Sequence, residues 1–572
     1  MTVSDYIFEF LAKRGTETVF MVSGSSAMWL TDALCRNDSL KAICNHHEQA
    51  SVMSADLYSR TTGKLGAALV TVGPGATNAI TGVAQAYLDS SSLIVISGQV
   101  NSRLLKYEHD TCIRQHGTQS LDLSRIIPPI TKYFAEVTKP EDIRFHMEKA
   151  YFEATNGRKG PVWIDVPIDI QNKQIPDDME GFKEKIESYD DVNVEIVSNV
   201  LKKSRKPLIL AGGGADRENI VRLSHKLHIP VVTTRMGIDS ISSDDVFYVG
   251  RPGSNGQRAA HFAIQQADCL LILGARLSVS TIGYYPDRFA LHATKIQVDV
   301  DDKELEKNEV PVDYKIHNTV EAFVNAVYEL PAIDDNKWVE YCKDLREKYP
   351  VVLDEYREHN PLNSYYFTEV LSKCAPDDAV VVVDTGSVCN AVSQTWTIKD
   401  RQKYLISGGL SCMGFWAGAI GCSDKTVIAL SGDGSVSMNI QEFATLSYYN
   451  LPVKLFVYQN NGYMLIRHNQ HNYMNDRFLG VGPDSGLKTP SFSKVAEAYG
   501  LKSIQIKYGD DLEKKIAEVF EYEGPVICEV ILEEFGPMAP RISSRVMPDG
   551  SLKAAEYDDL APFLDIKEIM PE

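Results

Sequence analysis

Residues 429–464, ALSGDGSVSMNIQEFATLSYYNLPVKLFVYQNNGYM, read as one βαβ unit. An apolar strand ends at Gly432-Asp433-Gly434. A helix follows over about Met438 to Tyr449, and a second apolar strand, Val453 to Tyr458, ends at Asn460-Asn461-Gly462. Crossovers between parallel strands are right-handed. Both polar loops therefore lie at the carboxyl ends of parallel strands, where open α/β sheets bind ligands.

The two loops bring together a carboxylate, a carboxamide and exposed backbone. Asp433, Asn460 and a nearby carbonyl, taken as that of Gly462, make an all-oxygen set that suits Mg²⁺ sharing its shell with ligand phosphates. Glycines at 432 and 434 let the backbone approach phosphate oxygens, and the following residues, Ser435 among them, offer N–H groups to an anion. Tyr463 closes the second loop. A lone Gly-Asp-Gly is common in structural turns; the same motif with a helix, a second strand and Asn-Asn at this separation is far more specific.

The same alternation of strands and helices recurs along the chain and predicts three parallel α/β domains. We place them at 1–172, 190–335 and 355–535, followed by a C-terminal tail, 536–572, too polar for a core and read as a mobile lid. In the first domain TETVFMV, AALVTV and LIVISG read as strands, and QASVMSADLYSRTTG as a helix ending at glycine. No apolar run reaches the roughly 20 residues a membrane span requires. The N-terminus lacks the basic and apolar regions of a signal peptide. Ten scattered cysteines without a C-x-x-C pair point to reduced thiols in a cytoplasm. A net charge of −19 argues against nucleic acid as a partner.

The stretch NHHEQAS (45–51) poses a separate question. A zinc-protease helix needs His-Glu-x-x-His, but the position four after His47 is Ser51. On local features alone, Glu48 is a solvated helix start, favourably placed against the helix dipole.

Longer stretches change that balance. VTVGPGATNAITGVAQAYLDSSSLIVISGQV (70–100), GGLSCMGF (408–415), GDGSVSMNIQEFATLSYYNLPVK and HHEQASVMSADLYSRTTGKLG together resemble the thiamine diphosphate (ThDP) enzymes of the acetolactate synthase-like family, over nearly the whole chain. The resemblance implies a pyrimidine-binding first domain, a central Rossmann-like domain and a diphosphate-binding third domain. It implies that Glu48 hydrogen-bonds N1′ of the cofactor's aminopyrimidine and passes a proton through the ring. It also implies that Met413 props the cofactor in a bent shape, that Gly386 and Gly409 make backbone contacts to it, and that Gln119 belongs to the active site. Each active site would be shared between chains of a homodimer or homotetramer. In this family the central domain holds FAD; here AGGGADR (211–217), TTRMG (233–237), GRPGSNG (250–256) and GAR (274–276) fall where it would lie, and an empty structural domain is the alternative.

Several positions depart from the family pattern. SGSSA (23–27) replaces Pro-Gly-Gly-Ala, keeping Gly24 but placing Ser25 at the second glycine. Ser280 stands where the biosynthetic enzymes place an arginine, Asn469 where they place a tryptophan, and Met464-Leu465 where they place Gly-Met. The expected activity is therefore a carboligase that decarboxylates a 2-keto acid such as pyruvate and adds the two-carbon unit to a different carbonyl acceptor, a bulkier ketone or keto-sugar. A simple 2-keto acid decarboxylase and a catalytically inactive ThDP-binding homologue are the alternatives. Arg467 and Arg541 are candidate substrate cations, with a surface role as the alternative for each.

Overall fold

A computed structural model describes residues 1–185, 188–333, 336–422, 425–546 and 552–564. Eighteen of its strands form three parallel six-stranded sheets. The first contains β1 (Thr18–Met21), β2 (Lys41–Cys44), β3 (Gly66–Val70), β4 (Leu93–Gln99), β5 (Tyr133–Glu136) and β6 (Val162–Pro167), in the order β2-β1-β3-β4-β6-β5. The second contains β7 (Pro207–Ala211), β8 (Val231–Thr233), β9 (Tyr248–Gly250), β10 (Cys269–Leu273), β11 (Thr294–Asp299) and β12 (Tyr314–His317). Its order is β12-β11-β10-β7-β8-β9, the doubly wound order of dinucleotide-binding folds. The third contains β13 (Val380–Val383), β14 (Lys403–Ile406), β15 (Val427–Gly432), β16 (Val453–Gln459), β17 (Lys502–Ile506) and β18 (Val526–Ile531). It runs β14-β13-β15-β16-β18-β17, which repeats the order of the first sheet strand for strand.

Inner strands such as β3 and β13 are fully buried apolar runs, as parallel sheets covered on both faces require. One continuous core joins the first sheet to the third through Leu57, Val83, Phe415, Trp416 and Leu455. At its centre the helix Glu48–Thr62 crosses the 3₁₀ segment Phe415–Cys422. The approach is too close for a side chain: a Cβ on Gly421 would lie 1.9 Å from the Ser54 carbonyl oxygen. Gly63 ends the helix in the left-handed conformation, φ 74°, as the sequence suggested.

The segment after Gly-Asp-Gly departs from the expected helix. A short helix starts at once, Asp433–Val436, then breaks; a 3₁₀ turn, Ile440–Glu442, leads into Phe443–Tyr449. Tertiary partners cause the break. Asn439 Nδ2 donates to the Gly414 carbonyl at 2.9 Å, and the buried Glu442 carboxylate accepts from Asn45 Nδ2 and the His46 N–H.

The tail is docked rather than loose over its described residues. Its strands β19 (Ser544–Val546) and β20 (Leu552–Ala554) pair antiparallel, and it lies against the central domain. The buried His261 ring stacks on Tyr557 at 4.3 Å, Nδ1 donates to the Tyr557 carbonyl at 2.6 Å, and Nε2 accepts from the Gly253 N–H. Tyr557 Oη donates to the Thr281 carbonyl at 2.7 Å. Burial, reinforced by the charge of Arg258, holds His261 neutral and lowers its pKa from 6.5 to about 4. The unfolded chain therefore binds more protons between these values, so this stabilisation is complete above pH 6.5 and lost as pH falls to about 4. The stability gap between wild type and His261→Gln should shrink across that window by roughly 3 kcal/mol, measured by denaturant unfolding. A gap that stays constant would remove His261 from the anchor.

Candidate active site

The third sheet builds the first half of the site at the carboxyl ends of β13, β15 and β16, three adjacent strands. After β15, Asp433 is fully buried. Its Oδ1 accepts from the Gly434 N–H at 2.7 Å, and its Oδ2 accepts from the Gly462 N–H at 2.9 Å and from Thr489 Oγ1. Burial pushes this carboxyl up to about 6, against the opposing pull of those backbone donors; a cation beside it would favour the carboxylate. After β16, Asn460 is buried, and its Oδ1 has no hydrogen-bond partner among the described residues. A buried amide oxygen left without a donor is rare and costly. It is the acceptor a hard cation would satisfy, and Asp433 on the neighbouring strand supplies the charge. Gly462 takes φ 129°, where a Cβ would strike the Val481 carbonyl oxygen at 2.3 Å. The ring of Tyr463 packs so closely on Gly434 that a Cβ there would be 2.2 Å away.

After β13, Gly386 (φ 81°) faces open space at the start of the helix Ser387–Thr395. Beside it, the buried Asp384 carboxylate accepts from Ser431 Oγ, the Thr385 N–H and the Ser435 hydroxyl. Burial raises its pKa, countered by those donors. Ser435 Oγ also accepts from the Gly414 N–H at 2.8 Å, so this hydroxyl locks the 408–414 loop. The Gly409 N–H is engaged as well: it donates to Asp89 Oδ1 at 2.7 Å, while the Gly408 N–H donates to Oδ2. Met413 is half-buried, and its carbonyl accepts from Gln49 Nε2 at 3.5 Å.

The first sheet builds the second half. Glu48 opens its helix and is 8% exposed. Its Oε2 accepts from Asn78 Nδ2 at 2.9 Å; Oε1 lies near Gly75 with no hydrogen-bond partner among the described residues. His47 is the helix cap: its Nδ1 accepts from the Gln49 N–H at 3.1 Å, which occupies the lone pair a metal would need. Gln119, at φ 62°, is exposed, and its backbone packs against Gly73 at the start of the helix Pro74–Asp89. Its loop hangs on the buried Glu108, whose Oε1 accepts from the His116 and Gly117 N–H groups and from Ser120 Oγ. Glu48, Asn78 and Gln119 thus meet at one helix N-terminus. Asn78, Asp384, Asp89 and Glu108 were not singled out from sequence; Asn78, in the first turn after Gly-Pro-Gly, was the most findable of the four.

The departures fall as follows. Ser280 Oγ pairs with Ser278 Oγ, Asn469 is exposed, and Met464 is buried with its sulfur near Asn460 Nδ2. Gly24 packs on Thr71. Arg541 is half-buried and near His468, whereas Arg467 is buried and bonded to backbone.

The central crevice does not fit a dinucleotide in the usual seat. A pyrophosphate would sit at the N-terminus of the helix Arg217–Leu227, yet Asp216 caps that end, taking the Asn219 N–H at 2.9 Å. The glycine loops pack on each other, the Gly214 N–H donating to the Gly274 carbonyl at 3.0 Å. Met236 fills the space between Gly213 and Gly408.

Comparison with known proteins agrees with this division. Residues 1–126 match the N-terminal TPP binding domain of thiamine pyrophosphate enzymes, 194–327 the central domain, and 384–530 the C-terminal TPP binding domain. The chain belongs to the thiamine pyrophosphate enzymes. Within them it is an enzyme of the acetolactate synthase type. It is 30% identical to a probable acetolactate synthase large subunit of Methanocaldococcus jannaschii, over the full length of both chains. It is 31% identical to the chloroplastic acetolactate synthase of Arabidopsis thaliana, over 95% of this chain and 83% of the relative, and 29% identical to the acetolactate synthase large subunit of Lactococcus lactis, over 96% and 95%.

Proposed function

We propose that this enzyme binds ThDP with Mg²⁺, decarboxylates a 2-keto acid, pyruvate being the simplest, and adds the two-carbon unit to a carbonyl acceptor other than that of branched-chain amino acid synthesis. The observation that carries the cofactor reading is the orphaned Asn460 Oδ1 beside buried Asp433 at the ends of adjacent strands. Asp433, Asn460 and the Gly462 backbone would hold the metal, with Gly386, Gly432, Gly434 and Tyr463 around the diphosphate. When bound, ThDP supplies the electron sink for breaking and forming carbon–carbon bonds. Glu48 holds a proton at Oε1 for exchange with the pyrimidine, and Asn78 fixes the carboxylate through Oε2.

Ser280, exposed Asn469 and buried Met464 support a changed acceptor pocket. The test is mass spectrometry of products from pyruvate, alone and with a panel of ketones and keto-sugars. A cross-product exceeding acetolactate is expected. Acetaldehyde alone would establish the decarboxylase alternative, and acetolactate alone the biosynthetic one.

We read the central domain as scaffold, without FAD in its crevice; a protein purified with bound flavin absorbance would overturn this. Exposed Leu88, Leu410 and Met438, close to the cofactor loop, support a second copy covering that face and a homodimer or dimer of dimers with shared sites. All ten cysteines are free, which supports a reducing compartment, the cytoplasm. Among the described residues no helix is long and apolar enough to cross a membrane.

A further inference from the structure

Arg467 lies in the helix Met464–Met474, directly after the metal loop, and is only 9% exposed. A buried guanidinium is costly unless its donors are met. Among the described residues no carboxylate pairs with this one; backbone carbonyls surround it instead. Nη2 donates to the Asn461 and Val481 carbonyls, each at 2.9 Å. Nη1 donates to the Glu534 carbonyl and, at 3.4 Å, to that of Asn460. The four acceptors come from three segments: the metal loop, the loop at 481, and the exit of β18. The Val481 carbonyl also accepts from the Tyr463 N–H at 3.0 Å, so the same oxygen is held from both sides.

The metal loop needs such a restraint. Asn461 and Gly462 both have positive φ, 57° and 129°. A conformation of this kind persists only where its surroundings enforce it. With the carbonyls of Asn460 and Asn461 drawn toward Arg467, the Asn460 side chain is left with Oδ1 buried and, among the described residues, unpartnered, on the loop whose Gly462 N–H binds Asp433.

We infer that Arg467 is a positioning residue for the metal end of the cofactor site, a clamp that fixes the Asn460–Gly462 loop so that Asn460 Oδ1 is aimed at the cation. The inference rests on the reading of Asp433 and Asn460 as metal ligands. A lysine cannot take over: its donors radiate from one atom, whereas the guanidinium fork spans carbonyls on separate segments.

The experiment titrates ThDP into metal-stripped protein by calorimetry at a series of Mg²⁺ concentrations. It uses wild type, Arg467→Lys, and Arg467→Met, which keeps bulk without donors. The Mg²⁺ concentration for half-maximal ThDP binding should rise in both variants by about 10- to 100-fold, the usual effect of removing a group that orients a metal ligand. Excess Mg²⁺ should restore binding and most of kcat, with KM for the 2-keto acid unchanged. A residue with a merely structural role would lower stability without shifting the Mg²⁺ dependence.

Folded variants with an unchanged Mg²⁺ requirement overturn the clamp, as does lost ThDP binding that excess Mg²⁺ fails to restore. Failure of both variants to fold also overturns it, in favour of a purely structural arginine. Wild-type protein that takes up no ThDP with Mg²⁺ would overturn the metal reading and the clamp together. Wild type that binds normally, beside an Asp433→Ala control that does not, keeps the metal reading whatever Arg467 does.

Discussion

Glu48→Gln should lower turnover of a 2-keto acid by about 10²- to 10⁴-fold, the range for loss of a positioned acid–base group, while ThDP still binds. The amide fills the same volume at the start of the helix. Its oxygen can still accept from Asn78 Nδ2, now at 2.9 Å from Oε2, so the local packing survives. What would disappear is the proton proposed to pass between Oε1 and the pyrimidine. Single-turnover CO₂ release measures the loss, and calorimetry checks that the cofactor is retained. Wild-type rates would remove Glu48 from this role and return NHHEQAS to an ordinary capped helix start, since His47 is already occupied as the cap.

Asp433→Ala should remove ThDP affinity while leaving the secondary structure intact. Its two oxygens bind the Gly434 and Gly462 N–H groups and so join the loops after β15 and β16. Without the carboxylate, those two donors lose their acceptor, and a diphosphate bound there would lose its proposed charge-balancing cation. Calorimetry in Mg²⁺ should show ThDP binding weakened beyond measurement, with a normal far-UV spectrum. Unchanged affinity would refute the ligand assignment. Mixed with Glu48→Gln protein, this variant also tests the shared site. Each hybrid dimer would contain one intact and one doubly damaged site, so activity should return on subunit exchange. Exchange confirmed by mass without activity would place Glu48 and Asp433 in the same chain's site.

What sequence made legible, and what it did not, divides along physical lines. Inner strands such as Val380–Val383 and Gly66–Val70 are continuous apolar runs because helices cover both their faces, and such runs stand out in any sequence. Edge strands do not: Lys502–Ile506 and Lys41–Cys44 expose part of every turn of the pleat and went unread. The loops proposed to hold the metal were legible because Gly-Asp-Gly and Asn-Asn are local motifs. Glu442 and Asp89 were not, since their partners are backbone groups or side chains remote in the chain; Arg467 stood out only as a candidate substrate cation, because the carbonyls it binds leave no mark in the sequence. Asp89 holds loop residues more than 300 positions away, and nothing in its own neighbourhood announces that. The helix expected at Met438–Tyr449 broke for the same reason, its polar residues being drawn to tertiary partners.

The repeated strand order of the first and third sheets has a consequence for how such a chain can go wrong. The two sheets are alike as scaffolds and opposite as equipment. One carries Glu48, the carboxylate proposed to share a proton; the other carries the acidic and amide oxygens proposed to hold a cation. Like-with-like docking, first sheet on first sheet, would pair scaffolds of the same strand order. It would bring together two carboxylates with nothing to anchor a diphosphate, and third on third would anchor the diphosphate twice with nothing to take the proton. Mispaired assemblies are therefore mute rather than miscatalytic. Only the unlike pairing can speak, and chemical competence itself becomes a proofreader of assembly.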